Sequence, residues 1–328
     1  MGRLALVSAA VLVGATACGS ARSLRSAVPL HNVVVYAKPI RLDFTTKTKT
    51  SWVSQLDGSH AKQLGSGDYP ALSPDGRFIA FVRGLGLLVM PSAGGPAERV
   101  HTYPWSHPGV SEVPRWAPDS RHLAFETKAG LVILDPVSHV RHVLPAEVDY
   151  LGFAFSPDSR RIVYTAKGDL YVIPARGGTP VRLTYDHESS APVWGKPGIA
   201  FVRSTHGEFS DIWLLDVRTH HIRQLTHRRT GAGPVAFSAD GKELLAAYWP
   251  SNAGRLWAVD VASGAERPIT PWVGDLVPQG FSADGGTVLA LAGCGVGPMY
   301  GEVETIPFAG GKPHVIVEGP CGASWNAR

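Results

Sequence analysis

The chain has 328 residues, with 31 Lys and Arg against 27 Asp and Glu, so its formal net charge is only +4. Apolar residues make up 44% and charged residues 18%, which excludes wholesale disorder and gives no indication of a nucleic-acid-binding surface. The 37 Gly and 26 Pro residues favour many tight turns between short strands over a helical protein.

The first 17 residues have the pattern of an export signal. A short basic start, Met1-Gly2-Arg3, precedes a largely apolar run (4–13) and a group of small residues (14–17). Ten residues in a helix span only about 15 Å, half of a hydrocarbon core, which argues against a permanent transmembrane anchor.

The tetrapeptide Ala15-Thr16-Ala17-Cys18 resembles the lipobox of bacterial lipoproteins, which usually has Leu at its first position. This resemblance implies cleavage before Cys18 and a diacylglycerol on its thiol, which would hold the protein on the outer side of a bacterial membrane. Ordinary secretion, with Cys18 removed in the signal, is the alternative. We therefore expect a lipoprotein signal peptide (1–17), a flexible tether (18–32) and one folded domain (33–328).

A strand-turn-strand unit recurs along the folded domain. In the first copy, the turn Ser73-Pro74-Asp75-Gly76 is followed by an apolar strand (77–82). Four later copies have Asp119, Asp158, Asp240 and Asp284 in the turn, and a degenerate copy (193–201) lacks the Asp. Each unit continues with a third apolar strand and a shorter fourth strand. Four strands per about 40 residues predict a propeller blade.

These units resemble the TolB-like, WD-like β-propeller repeat, whose blades carry a Trp or Phe, then Ser-Pro-Asp-Gly, then an aliphatic-Ala-Phe strand. The resemblance covers roughly residues 33–328 and implies the fold without implying a function, because propellers host unrelated activities. TolB itself has an additional amino-terminal α/β domain, for which the stretch between Cys18 and Val33 is too short. Its partners are therefore not carried over.

Six units begin near residues 70, 114, 152, 192, 234 and 279, and a seventh is split between the chain ends. Segments 33–37, 50–56 and 61–64 predict its second, third and fourth strands, and segment 323–326 predicts its first strand. We expect an all-β, seven-bladed propeller closed by pairing of the two terminal segments. Six blades are the alternative, if the amino-terminal segment pairs irregularly. Closure removes exposed sheet edges, so we expect a monomer.

The repeated turn Asp residues and the 13 His residues are candidate metal ligands. The Asp residues are explained by hydrogen bonds to the backbone of their own turns. The histidines lack the fixed spacing of a zinc site, and neither His-Glu-x-x-His nor Cys-x-x-Cys occurs. Gly-x-Ser-x-Gly, which would indicate a nucleophile, is absent too. We therefore expect no metal, no other cofactor and no catalytic residues.

The loops from each fourth strand to the next first strand share one face of a propeller with the loops from second to third strands. We call this side the loop face. It collects aromatic residues, His and Arg, which binding hot spots use. The predicted binding residues are Tyr69, Tyr103, Trp105, His107, Tyr150, Tyr185, His187, Arg228 and Trp272. Trp105, in the longest such loop (100–114), is the first candidate anchor; covering a blade edge is the alternative. Cations at the ends of second strands, among them Arg203, would favour an acidic partner, unless they are simply solvated.

Two functions remain open from the sequence. The first is a non-enzymatic, membrane-tethered module that binds a protein or a cell-envelope glycan through the loop face. The second is an extracytoplasmic polysaccharide lyase or hydrolase with a site built from several blades, since oligogalacturonate lyase is a propeller of this kind. Residues converging from different loops need leave no linear motif.

Cys294 and Cys321 would face an oxidising compartment if the export signal is used, and pairs of thiols there usually oxidise. Cys294 falls at the end of a second strand, and Cys321 follows the fourth strand of the same blade. Both strand ends point to the loop face, so we predict a disulfide between them. Two free buried thiols are the alternative.

Overall fold

The protein forms a ring of four-stranded antiparallel sheets. A computed structural model describes residues 24, 27–31, 33–39, 49–103, 114–127, 129–144, 148–149, 152–205, 209–228, 231–248, 254–270, 276–282, 284–292, 301–318 and 323–325. In this part of the chain there are seven such sheets. First strands of neighbouring sheets contact one another, so they surround the centre of the ring.

Each sheet is one blade, and in blades 2 to 7 the four strands follow in sequence order from the centre outwards. Blade 1 consists of β28, β1, β2 and β3, and blades 2 to 7 take β4 to β27 in consecutive groups of four. The strands are β1 (Val33–Pro39), β2 (Lys49–Gln55), β3 (Lys62–Ser66), β4 (Asp68–Leu72), β5 (Phe78–Arg83), β6 (Gly86–Pro91), β7 (Glu98–Thr102), β8 (Arg115–Trp116), β9 (Leu123–Thr127), β10 (Gly130–Leu134), β11 (Arg141–Leu144), β12 (Phe153–Phe155), β13 (Arg161–Ala166), β14 (Asp169–Pro174), β15 (Val181–Arg182), β16 (Ser189–Gly195), β17 (Gly198–Thr205), β18 (Phe209–Leu215), β19 (Ile222–Gln224), β20 (Ala232–Phe237), β21 (Glu243–Tyr248), β22 (Arg255–Asp260), β23 (Glu266–Pro268), β24 (Leu276–Phe281), β25 (Thr287–Ala292), β26 (Glu302–Pro307), β27 (His314–Glu318) and β28 (Ala323–Trp325).

The two ends of the chain close the ring in blade 1. Strand β28 pairs antiparallel with β1, so that Trp325 lies opposite Val34 and Ala323 lies opposite Tyr36. On its other side β1 pairs with β2 along its whole length. The prediction of seven blades with a shared terminal blade is confirmed, and the six-bladed alternative is wrong.

Apolar side chains fill the space between blades. Seven buried clusters occur among the described residues, one at each junction of neighbouring blades. The cluster between blades 7 and 1, for example, joins Leu289 and Val303 to Val34 and Tyr36. The inner strands are buried on both sides, and their successive side chains enter the clusters on either side in turn, as in β5 and β6. This burial holds the ring together and leaves its two faces free to carry function.

The repeated turn Asp residues stabilise their own turns, as expected. In blade 2, Asp75 Oδ1 accepts hydrogen bonds from Ser73 Oγ (2.7 Å) and from the Arg77 amide (3.0 Å). The same arrangement recurs in blade 4, where Asp158 Oδ1 accepts hydrogen bonds from the Ser156 hydroxyl and from the Arg160 amide. Both bonds lower the pKa of the Asp158 carboxyl, and the bond from Ser156 has the larger effect. Within the described ranges, no group of three or more His, Cys, Asp or Glu side chains is placed to hold a metal ion.

The part of the predicted tether that the structure describes contacts the propeller. Leu24 is 1% exposed and belongs to the cluster between blades 2 and 3, and the Leu30 amide donates to the Gly76 carbonyl oxygen (2.9 Å). The predicted range of the flexible tether, 18–32, therefore needs correction, because its last part is fixed by apolar burial and a backbone hydrogen bond.

No helix in the described ranges is long and apolar enough to span a bilayer.

Candidate binding face

The sequence predicts binding residues on the loop face, and the structure describes some of them. The structure describes Tyr69, Tyr103, Tyr185, His187 and Arg228. The other predicted positions lie outside the described residues: Cys18, Trp105, His107, Tyr150, Trp272, Cys294 and Cys321.

Tyr185 is the most exposed aromatic side chain among the described residues, at 72%. It follows β15 in the loop that leads to blade 5. The guanidinium of Arg182 lies over its ring, 4.5 Å from the ring centroid. This cation–π contact fixes one face of the ring and leaves the rest of the side chain in solvent.

A buried carboxylate fixes Arg182 in turn. Asp169 begins β14, its side chain is 1% exposed, and its Oδ2 accepts a hydrogen bond from Arg182 Nη2 at 2.5 Å. Asp169 Oδ1 accepts from Thr184 Oγ1 (3.2 Å), and Thr184 Oγ1 accepts from the Leu170 amide (2.8 Å). A charge-assisted bond to a buried carboxylate holds a side chain more firmly than a surface ion pair does.

His187 completes this group. Its backbone has a φ of 57°, which directs its amide to Asp169 Oδ1 (3.2 Å). Its Nδ1 lies 2.9 Å from Asp169 Oδ2 and 3.1 Å from the Lys167 carbonyl oxygen. Both neighbours are acceptors, so Nδ1 carries the proton. The loop after β15 is thereby tied to the loop between β13 and β14.

A second ion pair lies where this loop enters blade 5. Asp186 Oδ1 accepts from the Glu188 amide and from Ser189 Oγ, both at 2.9 Å, while its Oδ2 lies 2.5 Å from Arg203 Nη2. Arg203 also lies over the Trp213 ring, 4.6 Å from its centroid. The side chain of Arg203 is therefore neutralised and packed, and is not a solvated strand end.

Arg228 organises a third group, on blade 6. Its guanidinium pairs with Glu266 and lies 3.8 Å from the ring centroid of buried Trp257. Glu266 Oε2 also accepts from the Tyr248 hydroxyl (3.1 Å). Burial is the main cause that raises the pKa of the Tyr248 hydroxyl, and the nearby Glu266 charge raises it further. The phenol therefore stays protonated and donates its hydrogen bond to Glu266. The exposed part of Arg228 remains on the loop face.

Tyr69 and Tyr103 have less access to solvent. Tyr69 is half-buried, with a φ of 52°, and packs against the cluster between blades 2 and 3. Tyr103 is 3% exposed and belongs to that cluster, where its ring meets His101 and Phe125 edge-on. The expectation that Tyr103 is an exposed contact residue needs correction. Its amide still donates to the Leu85 carbonyl oxygen (2.8 Å), so the sheet extends past the predicted start of the loop.

Sequence reasoning missed the groups that position these residues, chiefly Asp169, Arg182 and Glu266. A signal was available in the repeats. Blade 5 has Asp211 and Thr226 at the positions of Asp169 and Thr184, and they form the same hydrogen bond (3.1 Å). Blade 6 keeps only the threonine, since Thr270 Oγ1 accepts from the Leu256 amide (3.0 Å) and Arg255 replaces the Asp.

No protein-family model matches the sequence, and no curated protein matches it either. Many solved structures share the fold. TolB from Acinetobacter baumannii superimposes with a TM-score of 0.56 at 16% identity, covering 90% of this chain and 83% of that chain. The β-propeller domain of the trilobed protease from Pyrococcus furiosus gives 0.64 at 16% identity, covering 88% and 93%. An oligogalacturonate lyase from Vibrio parahaemolyticus gives 0.55 at 11% identity, covering 87% and 86%. At these identities the likeness shows the TolB-like propeller fold alone.

Proposed function

We propose that this protein is an exported, membrane-tethered and non-enzymatic module that binds a protein or a cell-envelope glycan through its loop face. The observation that carries this proposal is the arrangement of Tyr185, which is 72% exposed and is held on one ring face by Arg182. A positioned, exposed aromatic ring offers contact area with little entropy left to lose on binding, as binding hot spots do.

The charges of this face favour recognition by shape and hydrogen bonding over recognition by net charge. Arg182, Arg203 and Arg228 are each paired with a carboxylate, Asp169, Asp186 and Glu266 respectively. Paired charges leave little long-range field, so binding at this part of the face should depend only weakly on salt. These three arginines therefore give no reason to favour an acidic partner.

The export and the tether are proposed from the sequence. They depend on the signal pattern in residues 1–17 and on the lipobox resemblance that ends at Cys18. A binding module held at a membrane surface needs only one lipid and one binding face, and the present chain offers a candidate for each.

Capture from the cell envelope tests the proposal. The mature protein is immobilised and exposed to solubilised envelope proteins and, separately, to envelope glycan fragments. Captured material is compared with that from a Tyr185→Ala variant and from a Val181→Ala control. Val181 lies on the outer strand of the same blade and is 56% exposed, so its loss removes exposed apolar surface away from the loop face. Capture that is lost with Tyr185→Ala and kept with Val181→Ala supports the proposal.

The enzyme alternative is tested by a second assay on the same glycan fragments. One of the solved structures with this fold is an oligogalacturonate lyase in complex with manganese. Glycan fragments are therefore incubated with the protein, with and without Mn²⁺, and products are analysed by mass spectrometry. Shortened or unsaturated fragments would favour a lyase or hydrolase over a binding module.

A further inference from the structure

The described residues that precede β1, 24 and 27–31, form a segment on the face opposite the loop face. We call that face the turn face, since it carries the turns from first to second and from third to fourth strands. Gly76 lies in the turn between β4 and β5, and the Leu30 amide donates to its carbonyl oxygen (2.9 Å). Ala27 and Val137, which lies just after β10, pack on the cluster that buries Leu24. Leu24, Ala27 and Leu30 thus lie along the turn face of blades 2 and 3.

Gly76 is fitted to this contact. A Cβ atom at Gly76 would lie 1.9 Å from the Leu30 carbonyl oxygen, far inside contact distance. The turn itself does not demand glycine, because Ser120 and Ser159 take the equivalent place with a φ of 58°. Gly285, in the same turn of blade 7, has the same φ of 74°, and a Cβ there would meet no described atom within 4 Å. The two glycines therefore differ in one respect: Leu30 lies against Gly76, and no described residue lies against Gly285 in the same way.

We infer that docking of this segment orients the propeller at the membrane, with the turn face towards the bilayer and the loop face, including Tyr185, directed away from it. The inference depends on the lipid anchor of the proposed function. Leu24 follows Cys18 by six positions, and an extended chain over six positions reaches about 20 Å at most. A lipid on Cys18 therefore keeps the turn face near the bilayer. The loop face lies farther away by the length of a strand, about 20 Å for six residues.

This orientation deepens the proposed function. A module that kept its loop face against its own membrane would leave Tyr185 no room for a large partner. With the turn face inward, the exposed residues of blades 4 to 6 face the space outside the membrane. The partner surface is then on another molecule of the envelope and not on the lipid that carries the protein.

Energy transfer to lipid tests the orientation. The lipidated protein is reconstituted in phosphatidylcholine vesicles that contain an acceptor-labelled lipid. A donor dye is attached through p-acetylphenylalanine, in place of either Ser138 on the turn face or Leu85 on the loop face, so that the cysteines are untouched. Both positions are exposed. Transfer should be stronger from position 138 than from position 85. Equal transfer, or stronger transfer from position 85, would overturn the inference.

Two matched variants test the cause. Gly76→Ala should abolish the difference in transfer between the two positions, while Gly285→Ala should retain it. Thermal unfolding of both variants checks that the propeller is intact. A difference that survives Gly76→Ala in a folded protein would contradict docking as the source of orientation.

Hydrogen exchange separates this inference from failure of the anchor. In the non-lipidated mature chain, the Leu30 amide should exchange about tenfold or more slowly than an unprotected amide. That protection should be lost in Gly76→Ala and kept in Gly285→Ala. Free exchange in the unmodified chain would overturn the docking. A protected Leu30 amide, together with a native protein that carries no lipid on Cys18 when it is extracted from cells, would instead refute the lipid anchor and the orientation, while the docking stands.

Discussion

Asp169 and Arg182, at the start and the end of the outer hairpin of blade 4, form an ion pair of 2.5 Å beneath the exposed ring of Tyr185. The carboxylate is buried and the guanidinium is partly exposed. The pair thus connects the packed interior of the blade to its candidate contact surface. Changes at Asp169 should act on stability first and on binding through the position of Tyr185.

Asp169→Asn should lower the free energy of unfolding by about 2 kcal/mol or more, because it leaves the Arg182 charge without its buried partner. Asp211→Asn in blade 5 is the matched control. Asp211 is also buried and accepts hydrogen bonds from the neutral side chains of Gln224 and Thr226, whose loss should cost about 1 kcal/mol. Denaturant unfolding measures both values. Equal losses in the two variants would show that the ion pair adds nothing specific.

Stability should also depend on pH through Glu304. The pKa of the Glu304 carboxyl is raised from 4.5 to about 7, mainly by burial and secondly by a hydrogen bond with Glu302. Because the folded state holds this proton more tightly, the stabilisation is complete below pH 4.5 and is lost as the pH rises through 7. The contribution of Glu304 to the melting temperature, taken as the difference between the unmodified protein and Glu304→Gln, should therefore fall between about pH 5 and about pH 8.

Glu304→Gln should remove that dependence, since the amide is neutral at every pH. Glu188→Gln, at an exposed position, is the control and should leave the pH profile unchanged. A profile that persists in Glu304→Gln would assign the pH dependence to another group.

The sequence was sufficient to predict the fold because each repeat specifies the same unit of four strands and their turns. Each Ser-Pro-Asp turn fixes the register of a first and a second strand. The terminal Ala323-Ser324-Trp325-Asn326 resembles the first strand Pro114-Arg115-Trp116-Ala117, and this resemblance was enough to predict the closing strand. The candidate site was less accessible. Whether Tyr103 is exposed depends on where β7 stops pairing with β6, and no residue pattern marks that point. The pairing of Arg182 with Asp169 depends on the hairpin between β14 and β15, which brings together residues that are not neighbours in the chain.

Cys294 and Cys321 lie outside the described residues, and their disulfide stays a prediction. It would close a loop of about 27 residues and add roughly 3.5 kcal/mol in the chain-entropy model, if its geometry is unstrained. Mass spectrometry of the unreduced protein should find the two cysteines in one linked peptide, and reduction should lower the melting temperature. Complete alkylation of both thiols in the denatured, unreduced protein would refute the bridge.

The lipid anchor makes a separate prediction. Cys18→Ser removes the thiol that the lipobox resemblance requires, so the protein should move from the membrane to the soluble exported fraction. Cell fractionation with immunoblotting measures the change. Unchanged membrane attachment of Cys18→Ser would rule out the lipoprotein interpretation.

The affinity of the Tyr185→Ala variant for a captured partner tests the central claim most directly. Removing the ring should weaken binding by about 2 kcal/mol, roughly 30-fold in Kd, while the melting temperature stays nearly constant because the ring is exposed. Val181→Ala should bind like the unmodified protein, and added salt should change either affinity little. An unchanged Kd for a folded Tyr185→Ala protein would contradict the assignment of the loop face of blade 4 as the binding surface.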